Sequence, residues 1–489
     1  MYQSKKAIRR NFPLFGRLRY LFESIGPELR QYFFEGDLEG KPFNRLQRSL
    51  VYQRSKHELD TMPFGTQLNV YDEGYEWINH SIRAIAFADL DMDPRIQIGS
   101  SQCTKPYSAS LFNISGMSYG SLSKNAILAL NAGAKQGGFY HNTGEGGISS
   151  YHLAHGGDIV WNIGTGYFSC RDADGHFSFD QYSQRAQIDK IKMIEIKFSQ
   201  GAKPGHGGIL PKEKVTDEIV NIRLVTKGHD IVSPPYHSVF QTPLELMDFV
   251  KLLRNGSGGK PIGMKICIGN KHEFLAICKA MVQTDTYLDF ITVDGGEGGT
   301  GAAPQEYSDH VGMPLREALA FVYDALVGFG LKDQIKIICS GKIINGFDII
   351  RALSIGADVC NSARGMMFAL GCIQALECHA NTCPTGVATQ DPKLVQGLVP
   401  EEKSVRVARF QHETVKSAMD LMASAGIRHP DDVDRSVVSR RINNSVTETY
   451  FETYPELDRG CLLEESSVPK NLLPFWKRAT AESFAPSIR

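Results

Sequence analysis

Short apolar segments that end in Gly, Asn or Ser recur between residues 111 and 363, and most are followed by a helical stretch. Several are typical of strands buried on both faces, because they contain β-branched residues and do not alternate strictly, as in IKIICSG and DFITVDG. Strand–helix units repeated about eight times in one core predict an α/β fold, the (β/α)₈ or TIM barrel. A doubly wound sheet would have fewer strands and a Gly-x-Gly-x-x-Gly turn after the first, which the sequence lacks there. The predicted strands are 112–116, 139–143, 159–164, 193–199, 261–267, 289–295, 335–341 and 357–363.

The segments on either side of the predicted barrel have a different pattern. Residues 20–60 alternate apolar and charged side chains at helical spacing, which predicts helices that pack on a larger body. A further helix is predicted over 405–425. We therefore divide the chain into a mostly helical N-terminal extension (1–95), the barrel with a cysteine loop at 372–383 (96–430) and a C-terminal tail (431–489).

Composition excludes several classes of protein. A chain of 489 residues with 42% hydrophobic residues can bury a full core, so global disorder is excluded. The formal net charge of -1 argues against a general nucleic-acid-binding protein, which would be far more basic. No apolar run approaches the ~18 residues of a membrane span, and no signal peptide is recognisable. Because a chain of this size needs no disulfide scaffold, we expect a reducing, cytoplasmic location.

The first 19 residues contain six basic side chains and no acidic one. They could form a basic arm that contacts anionic lipid head groups on the inner face of a membrane. The alternative is a solvated helix end, which is the interpretation that the sequence alone favours. The six residues are Lys5, Lys6, Arg9, Arg10, Arg17 and Arg19.

Glycine-rich turns follow four of the predicted strands. In a barrel of this kind the loops at the carboxyl ends of the strands build the active site. Glycine lets the backbone approach a flat or anionic ligand and direct its N–H groups at it. One such turn would be an ordinary tight turn, but four at the same end of a barrel favour a ligand site. The four are ISGMSYGSLS (114–123), NTGEGG (142–147), KFSQGAKPGHGG (197–208) and DGGEGGTGAAPQ (294–305).

The last two barrel loops, CSGKI and NSARGMM, occupy the places where such barrels commonly bind a phosphate. Gly341, Gly365 and Arg364 are the candidate residues there, and a surface ion pair is the alternative for Arg364. Lys265 lies in the otherwise apolar strand PIGMKIC, so it either faces the barrel mouth or is desolvated. We favour a cation that binds a flavin or a carboxylate substrate, and the alternative is a structural ion pair with Asp294.

Two further residues, Lys197 and Gln200, lie at the end of the fourth strand. As for Lys265, we favour a role in binding a flavin or a carboxylate substrate, and the sequence supports it less strongly for these two residues.

Three cysteines in CIQALECHANTCPTG are spaced Cys-x5-Cys-x4-Cys, and Pro384 follows the last directly. Thiolates at this spacing on a loop can converge on one iron–sulfur cluster, and three ligands indicate a three-iron cluster or a fourth ligand from elsewhere. Zinc with His379 as the fourth ligand is the alternative, although ligands adjacent in sequence are awkward geometrically. Free buried cysteines are the other alternative. We predict an iron–sulfur cluster on Cys372, Cys378 and Cys383.

Six segments, in the expected order, resemble the flavin-binding synthase domain of glutamate synthases, here as a stand-alone version. They cover about residues 95–430, and the set is highly specific, since the cysteine segment alone would nearly suffice. They are MSYGSLS, NTGEGG, AKPGHGG, GGEGGTGAAPQ, SGKIINGFDIIRALSIGAD and CIQALECHANTCPTGVATQ.

The resemblance implies a barrel that holds FMN, with a 3Fe-4S cluster on the three cysteines. Members of the family reduce 2-iminoglutarate, made from 2-oxoglutarate and ammonia, to L-glutamate. Their electrons come from reduced ferredoxin or from an NAD(P)H-oxidising partner subunit. The resemblance also places Lys265 and Gln305 near the flavin and the oxo acid, as catalytic candidates. The loop residues that we assign to cofactor binding are Ser115, Gly116, Met117, Ser118, Asn142, Thr143, Gln200, Lys265, Asp294, Gly295, Gly296, Gly341, Arg364 and Gly365.

Two features depart from the family pattern. Full-length members begin with an amidotransferase domain that releases ammonia from glutamine, and residues 1–95 do not resemble it. We therefore expect the chain to need free ammonia, a separate amidotransferase subunit or another amine. His206 stands in KPGHGG where the family usually has an acidic residue that helps to couple the two activities. Its presence agrees with the missing domain and leaves N-methylglutamate synthesis as an alternative.

Two other functions remain as alternatives. A flavin-barrel 2-hydroxy-acid oxidase would need a His and Arg pair after the fifth or sixth strand, and we do not find one in the sequence. A non-catalytic electron-transfer subunit with a vestigial site is the non-enzyme alternative, and His206 is the feature in its favour.

Overall fold

The structure, a computed structural model, describes residues 6–486 and opens with the helices predicted over 20–60. Helix α3 begins at a capping box, in which the Asn44 side chain accepts from the Gln47 N–H and the Gln47 side chain accepts from the Asn44 N–H. Three short strands follow the helices. The elements are α1 (Ala7–Asn11), α2 (Phe15–Leu29), a π-helical turn (Arg30–Phe34), α3 (Arg45–Lys56), β1 (Glu76–Ile78), β2 (Arg95–Ile98) and β3 (Tyr107–Ser110).

Eight parallel strands then close into a barrel, which confirms the predicted fold. The last barrel strand pairs in parallel with the first, with Cys360 opposite Phe112, so the sheet has no free edge. Each predicted strand overlaps an observed one, and a small hairpin of β8 and β9 lies outside the barrel. In chain order the strands are β4 (Phe112–Ile114), β5 (His141–Asn142), β6 (Ile159–Ile163), β7 (Ile191–Lys197), β8 (Ile209–Leu210), β9 (Ile231–Val232), β10 (Ile262–Ile266), β11 (Phe290–Asp294), β12 (Lys336–Ser340) and β13 (Val359–Ser362).

Helices surround the barrel. The long helix α15 covers the predicted segment 405–425 and packs along α4, so it helps to close the outer ring. Among residues 6–486, none of the helices combines the length and the apolar character needed to cross a bilayer. The helices are α4 (Lys124–Gly137), α5 (Ser150–Leu153), α6 (Phe179–Ala186), α7 (Asp217–Arg223), α8 (Pro243–Gly256), α9 (Lys271–Thr284), α10 (Gln305–His310), α11 (Leu315–Gly328), α12 (Gly346–Ile355), α13 (Arg364–Leu370), α14 (Pro392–Val395) and α15 (Pro400–Ser424).

The antiparallel hairpin of β2 and β3 closes the amino-terminal end of the barrel. Its apolar side chains, among them Ile98 and Tyr107, form a buried cluster with residues near the starts of several barrel strands, such as Met193 and Phe290. The buried carboxylate of Asp289 accepts from both the N–H and the hydroxyl of Ser100, just after β2, at 2.7 and 2.6 Å. With this end sealed, ligand access is left to the carboxyl end of the strands.

The two flanking segments of the chain share one sheet. Strand β1 pairs antiparallel with β14 (Val438–Arg441), and β14 pairs with β15 (Thr447–Thr449). The side chain of Glu76 on β1 is 5% exposed and accepts from Arg351 at 3.2 Å and from Arg316. The segment predicted as a tail therefore contains regular structure, including α16 (Tyr450–Thr453) and α17 (Leu473–Arg478).

Candidate active site

Two connected cavities lie among the loops at the carboxyl end of the barrel. Counted out to their open mouths, the smaller has a volume of about 530 Å³ and the larger about 1310 Å³. Gly116, Gln200, Lys265 and Arg364 line both of them, so the cavities form one continuous cleft. The predicted position of the site, at the loops that follow the strands, is where the cleft lies.

The smaller cavity is basic and is lined by the loops after β12 and β13. Arg364 is not in a surface ion pair: its Nη2 donates to the Glu297 carbonyl at 2.9 Å, and its guanidinium lies 4.8 Å from the Phe43 ring centre. Burial lowers the pKa of both Arg364 and Lys342, and for Lys342 the neighbouring charge of Arg364 adds to the effect. Two cations that repel each other in a partly buried cavity fit a bound phosphate.

Two predicted glycines in this cavity are required by space. A Cβ on Gly365 would lie 2.5 Å from the Ser362 hydroxyl, which would force that side chain to move. A Cβ on Gly341 would lie 3.0 Å from Leu315 Cδ2, which is a tight contact. Both glycines line the smaller cavity with main chain alone, as an anion cradle requires.

Lys265 and Asp294 form a buried ion pair at the junction of the two cavities. Nζ and Oδ2 are 3.3 Å apart, and the side chains are 9% and 10% exposed. Burial alone would lower the pKa of Lys265, but Asp294 and then Glu195 outweigh it, so that the pKa is raised. The ion pair with Asp294, which was the alternative from the sequence, is therefore present. Lys265 also faces the cleft as a full positive charge, and its binding of a flavin or a carboxylate stays a prediction.

Glu195 lies buried inside the barrel, and both of its carboxylate oxygens accept hydrogen bonds. Its Oε1 accepts from the side-chain amides of Asn142 and Asn162 at 2.8 and 2.6 Å, and its Oε2 accepts from the Thr292 hydroxyl at 2.6 Å. The Thr143 hydroxyl accepts from the Asn162 N–H at 3.1 Å. Asn142 and Thr143 thus support the interior of the barrel and do not line the cleft, although we predicted that they contact a cofactor.

Cations dominate the larger cavity. Glu145 is the carboxylate among its lining residues, and it accepts from Lys197 Nζ at 2.6 Å. Burial would raise the pKa of Glu145, but Lys197, Lys203 and Arg223 outweigh it and the pKa is lowered, so the group stays ionised. The excess of positive charge fits an anionic ligand such as a dicarboxylate. The lining cations are Lys197, Lys203, Lys214, Lys265 and Arg364.

Three charged residues that line the larger cavity were not singled out from the sequence. Glu145 and Lys203 are the charged residues of the segments NTGEGG and AKPGHGG, and this was a usable signal, since such a residue in a glycine-rich loop needs a partner. Lys214 lies in the polar segment PKEKVT, where nothing local distinguishes it from its exposed neighbour Lys212.

Most predicted cofactor-binding residues lie together, and a few do not. Gly295 and Gly296 pack in the turn after β11 and do not line the cleft. Gln305 is exposed at the start of α10 and does not line it either, so its catalytic role stays a prediction. The predicted residues that do line the cleft are Ser115, Gly116, Met117, Ser118, Gln200, Lys265, Asp294, Gly341, Arg364 and Gly365.

The loops after β7 and β11, which contribute Gln200 and Asp294 to the lining of the cleft, are in direct backbone contact beside it. A Cβ on Gly201 would lie 1.6 Å from the carbonyl oxygen of Gly295, so no other residue fits at Gly201 without moving a loop. The Gly201 N–H donates to Asp294 Oδ2 at 2.9 Å. The loop after β7 is therefore attached to the carboxylate that pairs with Lys265.

The three predicted cluster cysteines lie close enough to influence one another. Burial, and then the proximity of Cys378 and Cys383, raises the pKa of Cys372 to about 12 in the metal-free thiol form. Cys378 lines the larger cavity, so the cysteine loop faces the cleft. The three side chains therefore lie near one another beside the cleft, and the iron–sulfur cluster on them stays a prediction.

The geometry is less suited to zinc. Within the described part of the chain, the three sulfurs are not all within 4.8 Å of one another, whereas sulfurs ligating one zinc ion must be about 4 Å apart. His379, the proposed fourth zinc ligand, is exposed.

The cysteine loop is held from two sides. The N-terminal extension contributes Tyr52, whose hydroxyl donates to the Cys372 carbonyl at 2.6 Å, and Gln31, whose Nε2 donates to the Ile373 carbonyl at 2.8 Å. On the other side, Lys214 Nζ donates to the Cys378 carbonyl at 2.7 Å. The residues around the cysteines are thus fixed by parts of the chain that are distant in sequence.

Comparison with known proteins identifies the family. A family described as "Conserved region in glutamate synthase" matches residues 65–428. The "Glutamate synthase large subunit-like protein YerD" of Bacillus subtilis is 39% identical over 484 residues, which cover 91% of this chain and 92% of that protein. The "Archaeal glutamate synthase (NADPH)" of Methanocaldococcus jannaschii is 37% identical over 316 residues, which cover 64% of this chain and 58% of that protein.

Solved structures with a related arrangement include mandelate oxidase, at 14% identity and a TM-score of 0.46, with 86% of this chain and 94% of that chain covered. A flavocytochrome b2 variant with pyruvate bound has 12% identity and a TM-score of 0.43, with 89% and 91% covered. At this level we draw no functional conclusion from these structures. The family match and the relatives confirm the resemblance seen in the sequence, and the chain belongs to the glutamate synthase family.

Proposed function

We propose that the chain is an FMN- and iron–sulfur-dependent oxidoreductase that reduces 2-iminoglutarate, formed from 2-oxoglutarate and ammonia, to L-glutamate. The observation that supports this most is the continuous cleft. It has a basic end with a bare backbone, buried Lys265 in the middle, and a second basic cavity that reaches Cys378. The cleft therefore has surroundings that suit a flavin phosphate, a dicarboxylate and a metal cluster.

The residues present fit FMN. Lys342, Arg364 and the backbone at Gly341 and Gly365 would hold its phosphate, and Lys265 would offset negative charge on the reduced ring system. When bound, FMN supplies the hydride. Because Lys265 is already positively charged and fixed by Asp294, it needs no rearrangement to act in this way.

Cys372, Cys378 and Cys383 would hold a 3Fe-4S cluster, whose chemistry is one-electron transfer. The donor that we propose is reduced ferredoxin or an NAD(P)H-oxidising subunit. The cysteine loop is suited to this role because it faces the cleft at Cys378 and reaches the protein surface at exposed Leu376.

The basic side chains of the larger cavity would bind and orient the substrate. Lys203 is buried and its Nζ donates to the Ala302 carbonyl at 3.2 Å, while Lys197 is held by Glu145. We propose that these two lysines bind the carboxylates of 2-iminoglutarate and that Lys265 polarises the reacting imine. Apolar residues such as Met117 and Leu210 line the same cavity and would exclude water from it.

The source of the amine is the least constrained part of the proposal. His206 is partly buried, and its ring lies edge-on to Tyr307 at 5.2 Å between centres. No acidic side chain stands at this position to couple the loop to an amidotransferase domain. We therefore propose free ammonia, or ammonia delivered by a separate amidotransferase subunit, as the amine.

The test is an anaerobic assay of the purified holoprotein with 2-oxoglutarate, ¹⁵N-ammonium and either dithionite or reduced ferredoxin. We expect ¹⁵N-glutamate by mass spectrometry and a yellow-brown protein with flavin bands and a broad iron–sulfur shoulder. Product with methylamine alone would make N-methylglutamate the product and leave the mechanism in place. A protein without flavin would contradict the proposal, and so would a flavin-loaded protein that forms no product with either amine.

We also propose a reducing, cytoplasmic compartment. All ten cysteines are free, and several of them, such as Cys278 and Cys170, are fully buried. A cluster held by three cysteines would also be favoured where thiols stay reduced.

A further inference from the structure

Helix α2 carries an apolar stripe that the described structure leaves mostly exposed. Five apolar residues recur at three- and four-residue spacing, which places them on one side of the helix. Of the 15 helix residues, Gly16 is the buried one. Phe15 and Phe22 are 72% and 60% exposed, although each would gain from burial. The stripe consists of Phe15, Leu18, Phe22, Ile25 and Leu29.

Basic side chains border this stripe. By helical geometry Arg17 and Arg19 lie on its two flanks, and the segment 6–22 contains no acidic residue. Helix α1 adds Arg9 and Arg10 and packs against the start of α2, since a Cβ on Gly16 would lie 2.7 Å from Arg9 Cα. The stripe and the basic side chains therefore belong to one helical pair.

We propose that α1 and α2 form a docking surface for an anionic lipid bilayer. The apolar stripe would enter the boundary between head groups and acyl chains, and the arginines would contact lipid phosphates. Arginine suits this position because its long stem packs on apolar surface while its head reaches the phosphate. The proposal does not depend on the reaction proposed above.

A second copy of the chain fits this surface less well. Pairing two such helices would bring the same positive charges together, with Glu23 as the first acidic residue, and Glu23 already lies 4.0 Å from Arg19. An anionic surface supplies the opposite charge and the apolar layer together. The basic residues in question are Lys6, Arg9, Arg10, Arg17 and Arg19.

The position of this surface gives the proposal a consequence for the cysteine loop. The π-helical turn that continues α2 contains Gln31, which donates to the Ile373 carbonyl next to Cys372. Exposed Phe33 and Phe34 follow in the same turn. Docking would therefore bring the cysteine loop near the bilayer surface.

The experiment is co-flotation of the holoprotein with vesicles of phosphatidylcholine alone or of phosphatidylcholine with about a third phosphatidylglycerol. We expect flotation with the anionic vesicles, little with the neutral ones, and a steep loss when salt shortens the screening length. Equal binding to both vesicles, or no binding to either, would overturn the proposal.

Two sets of variants separate the apolar contribution to vesicle binding from the electrostatic one. The double variant Phe15→Ser/Phe22→Ser should lower anionic-vesicle binding by about tenfold or more, since two large apolar side chains are lost. Arg9→Gln/Arg10→Gln/Arg17→Gln should lower it by about a hundredfold, at roughly fivefold per charge. Phe451→Ser and Arg459→Gln, which change exposed residues elsewhere, are the matched controls and should bind as the parent does.

A second measurement tests self-association. In light scattering without lipid, we expect the parent and the Phe15→Ser/Phe22→Ser variant to have the same molecular mass. A dimer of the parent that is absent from the variant is the opposite outcome. Such a dimer would make a second copy of the chain the occupant of the stripe and would contradict the proposal.

Discussion

Individual residues differ in how far the sequence could place them. Lys265 was predictable, because a lysine in an apolar strand needs a partner and the end of the next strand supplies Asp294. Gln305 was assigned through the family resemblance alone, and it lies exposed outside the cleft. The difference is physical: a strand fixes where Lys265 lies, whereas Gln305 follows a glycine-rich segment whose path no local sequence pattern fixes.

Substitution of Lys265 should separate cofactor binding from turnover. In Lys265→Met we expect flavin to remain bound, since the phosphate-binding side chains are unchanged, while glutamate formation falls about 10²–10³-fold. Flavin absorbance and single-turnover reduction would measure the two effects. Lys251→Met, at an exposed lysine on α8, is the control. Unchanged turnover in Lys265→Met would show that Lys265 is not part of the site.

Buried histidines should make the fold sensitive to acid. Burial lowers the pKa of His152 to about 3 and that of His237 to about 4, and lowers that of His141 as well. The unfolded chain therefore takes up protons first, so the stabilisation is present above about pH 6.5 and is lost as the pH falls towards 4. Each histidine can cost up to about 1.4 kcal/mol per pH unit in this range.

Denaturant unfolding between pH 7 and pH 4 would measure this loss. In His152→Gln the free energy of unfolding should depend less on pH than in the parent, whereas His229→Gln, at an exposed histidine, should follow the parent. An equal pH dependence in the parent and in His152→Gln would contradict the assignment to this residue.

At the scale of elements, the barrel strands were predicted well and the long loop after β7 was not. The strands carry β-branched apolar runs that few other structures accommodate. The loop contains the hairpin of β8 and β9, each two residues long, together with α7. Such short pieces are stable only through contacts with other parts of the protein, and these contacts leave no local pattern in the sequence.

Substitution of Lys214 would test how the loop after β7 supports the cysteine loop. Its ammonium donates to three carbonyl oxygens, those of Cys378, Ala388 and Ser121, at 2.7, 2.9 and 3.2 Å. Lys214→Met leaves these acceptors without their donor and should cost about 3 kcal/mol, mostly as local loosening. Hydrogen exchange should therefore rise over residues 372–390.

The neighbouring Lys212 provides a matched control, because it lies on the same turn and is exposed. Lys212→Met should leave exchange over 372–390 unchanged. Equal exchange in both variants would show that Lys214 does not hold the cysteine loop.

At the scale of the whole molecule, the two ends of the chain cooperate in a way that the sequence did not reveal. The sheet of β1, β14 and β15 joins the N-terminal extension to the segment predicted as a tail. Strand β1 has three residues, and its partner lies far along the chain. No periodicity can predict a pairing this short and this distant, because its stability comes from tertiary contacts such as those of Glu76.

Removal of the Glu76 carboxylate should weaken this connection. Glu76→Ala removes the carboxylate that Arg316 contacts and leaves Arg351 with Asp348 alone. The Tyr450 hydroxyl loses the group to which it donates at 2.7 Å. We expect a loss of about 3 kcal/mol in the free energy of unfolding, measured by denaturant titration. Glu73→Ala, at an exposed carboxylate near β1, should change stability by less than about 0.5 kcal/mol.

The contact of Gly201 with Gly295 bears on how reactants enter and leave. Two loops separated by nothing but main chain behave as a single wall, since neither can swing without displacing the other. Entry of reactants past this wall should therefore require both loops to move together, and that motion would also displace the Asp294 carboxylate that pairs with Lys265.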